Sequence, residues 1–198
     1  MITKSSLEIF FKKILIIAED NYDDFNSLDG QLGDGDLGIT ISKGLKEINE
    51  NLIKFEDDLS KIFLLCAQCF TKASSSSFGT LVAISFMNAA KLTKGKTRLD
   101  FDDLPSIINS IIEGVSARGK SKIGDKTFID SLNEISNLLL NNKIITGQDI
   151  YQATENALIK FKGKECKIGR ARMFAEKSKE LNDPGMYAIH KLSTAFID

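Results

Sequence analysis

Apolar residues recur at helical spacing from one end of this 198-residue chain to the other, and little strict two-residue alternation interrupts them. Ile107, Ile108, Ile111, Ile112 and Val115 form one such stripe; Ile129, Leu132, Ile135, Leu138 and Leu139 form another. A chain with this period throughout has to bury one face of each helix against its neighbours. Helices are expected over about 5–24, 36–54, 58–73, 77–93, 105–117, 125–141, 147–162, 168–179 and 185–196, with ends placed to ~2–4 residues.

The residues between the stripes agree. Thr146 and Asp149 have the spacing of a capping box with Asp in place of Glu. Asp125 is expected to open a helix after Gly124, and Asp183 before Pro184 has the order of a cap and first turn. Only the serine run at 74–77 resembles a low-complexity tract. The expected architecture is one all-α domain, residues 1–198, in which short connections make successive helices antiparallel.

Charge narrows the function classes. The chain carries 26 Lys+Arg against 27 Asp+Glu, a net charge of -1, so no overall basic field recruits nucleic acid or an anionic membrane. Any anion must therefore be held by a local site. The apolar N-terminus is broken by Glu8, Lys12 and Lys13, and its longest uncharged run, Ile14 to Ala18, is too short for a membrane span or a signal peptide. A cytoplasmic protein is expected.

Two motifs look chemical and are better read otherwise. Cys66-x-x-Cys69 has the spacing of a zinc or redox pair, yet both thiols continue the helical stripe of Leu59, Ile62, Phe63 and Phe70 and belong on a core face. Gly114-x4-Gly119-Lys120-Ser121 satisfies the expression for a phosphate-binding P-loop. That loop needs a strand before it and a helix directly after it, and here a helical stripe precedes it.

Residues 27–45, SLDGQLGDGDLGITISKGL, place Asp29, Asp34 and Asp36 among Gly30, Gly33 and Gly35. Three carboxylates with no Cys or His are hard oxygen donors suited to Mg²⁺ more than to zinc. A calcium EF-hand is excluded, because the third oxygen ligand after Asp34 and Asp36 would fall on Gly38. Taken alone, the stretch also reads as a solvated turn. KASSSSFGTL (72–81) leads into an apolar helix whose free amides can bind phosphate, and reads equally as an ordinary serine-capped start.

Asp29-x4-Asp34-Gly-Asp36, Phe78-Gly79-Thr80, Arg118-Gly119-Lys120, Gly124-Asp125-Lys126-Thr127, Gly169-Arg170-Ala171 and Asp183-Pro184-Gly185 occur in that order over nearly the whole chain. Together they resemble the L subunit of dihydroxyacetone kinase, a nucleotide-binding Dak phosphatase-type domain. The resemblance implies an antiparallel barrel of about eight amphipathic helices with nucleotide in the loops at one end. It implies that Asp29, Asp34 and Asp36 hold two Mg²⁺ ions bridging the phosphates of ADP or ATP. It places Leu37, Gly38, Ile39, Thr40, Ala73 and Ser74 at the phosphates and nucleotide, Gly119 and Phe128 at the adenine side, and Arg170, Asp183, Pro184 and Gly185 at the remaining contacts. The lysines of RGKSKIGDK (118–126) fall in the same nucleotide-facing region.

The chain departs from that pattern at Leu37, where many L subunits carry His, at the serine run, where they carry glycines, and at Phe128, where Met is frequent. In the family a partner K subunit holds dihydroxyacetone on its own histidine. The single histidine here, His190, lies in the last expected helix and is read as a packing residue. By the resemblance, ADP stays bound and is rephosphorylated by a phosphohistidine-carrying M subunit. The alternatives are an ATP-dependent ketose kinase subunit and a nucleotide-binding regulatory module without turnover.

Overall fold

A computed structural model describes residues 1–142 and 144–197. The described residues form α1 (Lys4–Asp20), α2 (Tyr22–Leu32), α3 (Leu37–Glu50), α4 (Leu59–Ala73), α5 (Ser77–Leu92), α6 (Leu104–Gly119), α7 (Phe128–Asn141), α8 (Gly147–Phe161), α9 (Ala175–Glu180) and α10 (Pro184–Ser193). Two short strands, β1 (Ile2–Thr3) and β2 (Arg98–Leu99), pair antiparallel with Ile2 opposite Leu99. None of the described helices is long and apolar enough to cross a membrane.

In α1, Leu7, Phe11, Ile14 and Ala18 return once per turn and are buried. Thr3 and Ser6 close its start reciprocally: Thr3 N–H donates to Ser6 Oγ at 2.8 Å, and Ser6 N–H to Thr3 Oγ1 at 3.3 Å. The stripe expected to continue to residue 24 breaks at Asn21. There the backbone leaves the helical region (φ −106°, ψ 14°), and the side-chain amide donates to the Ile17 carbonyl at 2.8 Å. An asparagine side chain competes with the ladder for such acceptors. The chain re-enters as α2 and runs on to Leu32, so the front of the acidic stretch is helix and not loop.

The helices close into a ring. α3 packs on α1 and α4, and each helix from α4 to α8 packs on the next; α10 then joins α8 back to α2 and α1. Counting α1–α2 as one broken stave and setting α9 aside leaves eight staves, the expected antiparallel all-α barrel. α4 faces the core with Leu59, Ile62, Phe63, Cys66, Ala67, Cys69 and Phe70; each large side chain contributes ~1.5–3 kcal/mol on burial. The three cysteines are free and buried. Burial pushes the Cys69 and Cys166 thiols each up to about 11 and the Cys66 thiol higher still.

Two expectations need correction. Asp125 does not open a helix: Lys126 is left-handed (φ 62°), and α7 begins at Phe128. Residues 168–179 are not one helix but a 3-10 turn, Arg170–Phe174, followed by the six-residue α9, because only Ala171 and Ser178 of that charged stretch are buried. The context that argues against a P-loop is as expected, since Gly114 to Gly119 are the last turns of α6. Gly114 is a glycine for a packing reason: a Cβ there would lie 2.0 Å from Nδ2 of Asn88 on α5.

Because neighbours run antiparallel, the starts of α3, α5, α7 and α10 and the ends of α2, α4 and α6 gather at one end of the barrel. Gly114→Val is expected to force α5 and α6 apart at a cost of ~1–3 kcal/mol, read as a Tm lowered by ~2–4 °C per kcal/mol. Asn88→Ala added to Gly114→Val should recover part of that loss in the same thermal unfolding experiment.

Candidate functional site

α2 and the turn after it assemble the carboxylates. Asp29, Asp34 and Asp36 each offer an oxygen within 4.8 Å of the others'. Asp29 stands on the last turns of α2, and its Oδ2 accepts the Asp36 N–H at 3.0 Å, which folds the turn back onto the helix. Gly33 leaves the room this needs, since a Cβ there would meet Asp29 Oδ1 at 2.7 Å. Burial, followed by the neighbouring carboxylates, holds the Asp29 and Asp36 carboxyls above the ordinary range. Such a cluster is unfavourable by itself and suits a hard divalent cation, whose charge would relieve the repulsion and the desolvation together. One cation already faces it: the Arg170 guanidinium pairs with Asp34 Oδ2.

Beside the carboxylates lies a hydroxyl network. Thr40 on α3, 1% exposed, donates from Oγ1 to Ser76 Oγ at 2.9 Å and lies 3.2 Å from Ser74 Oγ. Ser76 caps α5, accepting the Gly79 N–H at 3.0 Å, and its own N–H donates to Ser74 Oγ at 3.1 Å. The serine run therefore makes a capped helix start that ties α3 to α5, and the α5 amides carry the partial positive charge of a helix N-terminus. Ala73 ends α4 just before this network.

The next turn of α5 reaches an aromatic floor. Phe78 meets Phe128, at the head of α7, edge to face with ring centroids 5.6 Å apart. Gly185, at the head of α10, lies so close that a Cβ would be 3.3 Å from both Phe128 Cβ and Phe78 Cε2. Gly119, at the end of α6, faces Leu81 of α5. Asp183 caps α10 by accepting the Met186 N–H at 2.9 Å, and Pro184 occupies the first helical position.

The barrel thus brings the expected residues to one end in an unbroken series of contacts. Leu37 and Phe128 turn inward: their side chains are 3% and 7% exposed and belong to core clusters. The Gly38 and Ile39 amides both donate to Asn26 Oδ1, at 2.8 and 3.2 Å. Asn26, on α2, was not singled out in the sequence, because a residue twelve positions away from the amides it caps leaves no local pattern. Lys126 belongs to the lysines expected to face the nucleotide, yet it is 2% exposed and its ammonium donates to three backbone carbonyls. His190 is packed, with Nδ1 3.0 Å from Thr154 Oγ1 and its ring centroid 4.6 Å from that of Tyr151.

A carboxylate cluster, a facing arginine and several helix starts thus share one end of a helical barrel, a set of groups whose chemistry suits a phosphate-bearing ligand with a divalent cation. The chain belongs to the DAK2 domain family, whose domain matches residues 31–198. It is 31% identical over 181 residues to the ADP-binding subunit DhaL of PEP-dependent dihydroxyacetone kinase 1 from Listeria innocua, covering 91% of this chain and 88% of that one. It is 26% identical over 172 residues to the corresponding DhaL subunit from Escherichia coli K12, covering 82% and 80%. The dihydroxyacetone kinase of C. freundii, solved with AMP-PNP and Mg²⁺, shares the fold with a TM-score of 0.74 at 22% identity, over 96% of this chain and 33% of that one.

Burial pushes the Asp183 carboxyl up to about 7, against the Met186 N–H and the Lys126 charge, which lower it. A carboxyl with a folded pKa above its unfolded value contributes stability that is full below the unfolded pKa and is lost as pH rises through the folded one. Asp183→Asn keeps the cap and removes the ionisation. Its Tm should equal the wild-type value near pH 4 and exceed it by at least ~2 °C at pH 8.

Proposed function

We propose that this chain is the nucleotide-binding subunit of a dihydroxyacetone kinase, acting only with a K-type partner that holds the ketose. The observation that carries this reading is the Asp29–Asp34–Asp36 cluster facing Arg170 and lying beside the Thr40–Ser74–Ser76 start of α5. The names of relatives matched over most of their length, ADP-binding subunits of PEP-dependent dihydroxyacetone kinases, support it.

Asp29, Asp34 and Asp36 would hold two Mg²⁺ ions. When bound, the metal supplies charge neutralisation at the nucleotide phosphates and alignment of the transferred group. The α5 amides and the serine hydroxyls receive the phosphate oxygens, and Arg170 stabilises charge that spreads during transfer. Phe78, partly exposed and backed by the buried Phe128, offers the adenine an apolar face, with Gly119 and Gly185 leaving space beside it. No side chain of this chain needs activation as a nucleophile, because the acceptor is the substrate hydroxyl. ADP remains bound between cycles and is rephosphorylated by a phosphohistidine-carrying M subunit in the cytoplasm.

The test is calorimetric binding of ADP and of ATP with and without Mg²⁺, in wild type and in Asp34→Ala. Expected is Mg²⁺-dependent binding that the substitution abolishes, with a stabilisation of ~2.7 kcal/mol in wild type at a hundredfold excess over Kd. Binding indifferent to Mg²⁺ or to Asp34→Ala would overturn the reading.

A further inference from the structure

Lys126 is a buried charge that phosphoryl transfer itself does not require. Its Nζ donates at 2.8 Å to the Lys164 carbonyl, at 2.6 Å to that of Ser178 and at 2.8 Å to that of Leu181. An ammonium has three N–H donors, and all three are used. The backbone there is left-handed, with φ of 62°, a conformation that glycine adopts freely and lysine does at a cost.

The three acceptors lie on both stems of one excursion, residues 162–183, between α8 and α10. Arg170, at its far end, reaches Asp34. The stems also tie to each other, since Gly163 N–H donates to Lys179 O at 3.1 Å and Cys166 N–H to Ser178 Oγ at 2.9 Å. To the body of the barrel the excursion is held by Lys126, by the Lys167 N–H on Asp125 O at 3.1 Å, and by a small apolar cluster of Leu32, Cys166, Ala171 and Leu181. Two residues after Lys126, Phe128 forms the aromatic floor.

We propose that Lys126 is a positioning residue, clamping the 162–183 arm to the start of α7 so that Arg170 is held over the carboxylate cluster at a fixed distance from the nucleobase floor. The inference rests on the function proposed above. It predicts a loss in the transfer step, not in nucleotide binding, because the carboxylates and the α5 start stay in place without the clamp.

The experiment uses the full chain with a K-type partner and dihydroxyacetone, in Lys126→Met, Arg170→Ala and the double variant. Lys126→Met should lower kcat by ~10–100-fold, leave Mg²⁺-dependent ADP affinity near wild type, and speed tryptic cleavage after Lys167, Arg170 and Arg172. The double variant should be no slower than Arg170→Ala alone, since Lys126 acts through Arg170. If the two losses multiply, or if ADP affinity falls while kcat holds, the clamp is not what Lys126 does. Ser178→Ala, which cuts one of the two ties between the stems without exposing a buried charge, loosens the same arm and carries the same comparison should Lys126→Met fail to fold. Absence of Mg²⁺-dependent ADP binding in wild type would refute the proposed function alone. Unchanged tryptic cleavage in Lys126→Met would refute the clamp alone.

Discussion

Each long helix of this chain carries an apolar stripe too wide to cover with a single neighbour, and only a closed ring buries all of them. Closure is the constraint from which the site follows. Antiparallel staves put alternate helix starts at one end, so the heads of α3, α5, α7 and α10 converge where the core stops. Helix ends lie between those starts and cancel much of their dipole, so the positive character there is local, confined to the free amides of single heads such as that of α5. The α2–α3 turn brings the opposite sign to that end, with Asp29, Asp34 and Asp36 inside 4.8 Å of one another.

Opposed charges at short range then organise the rest. The Asp29 and Asp36 carboxyls are raised chiefly by burial and further by neighbouring carboxylates, so the cluster stores repulsion that a divalent cation would release. Arg170 contributes a partial answer from an exposed pair that is worth little in stability. Its value lies in place: the arm that carries it is held at its base by a buried lysine whose three donors are all satisfied. Asp183, also raised by burial, caps α10 on the same side of the barrel. Polar groups buried at such a density are tolerated because nearly every one has a partner, and they fix a single arrangement of loops that have little apolar surface of their own.

Local signals were legible where both partners sit within one turn. Thr146 N–H donates to Asp149 Oδ2 at 2.8 Å, and Asp149 N–H to Thr146 Oγ1 at 3.3 Å, as the capping spacing predicts. Asp183 and Pro184 open α10 in the expected order. The break at Asn21 and the failure of residues 168–179 to form one helix were not legible, because the first depends on one side-chain hydrogen bond and the second on what the arm could bury. Asn26 and Lys126 were missed as fold-makers for a related reason. Their partners are twelve or more positions away, and their identity alone suggests surface residues.

The sequence by itself determined that this is a helical domain, through a period that leaves room for only a two-residue strand pair, and it marked the aspartates by their type and spacing. The ordered motifs extended that to a family. Only the tertiary structure decided that Asp29 is helical, that Gly114 makes room for Asn88 of α5, that Leu37 faces the core, and that Lys126 turns inward to hold the arm of Arg170. The physical reason is the same in each case: a local pattern fixes what a segment can form, whereas burial and hydrogen-bond partners are set by the elements that arrive from elsewhere in the chain.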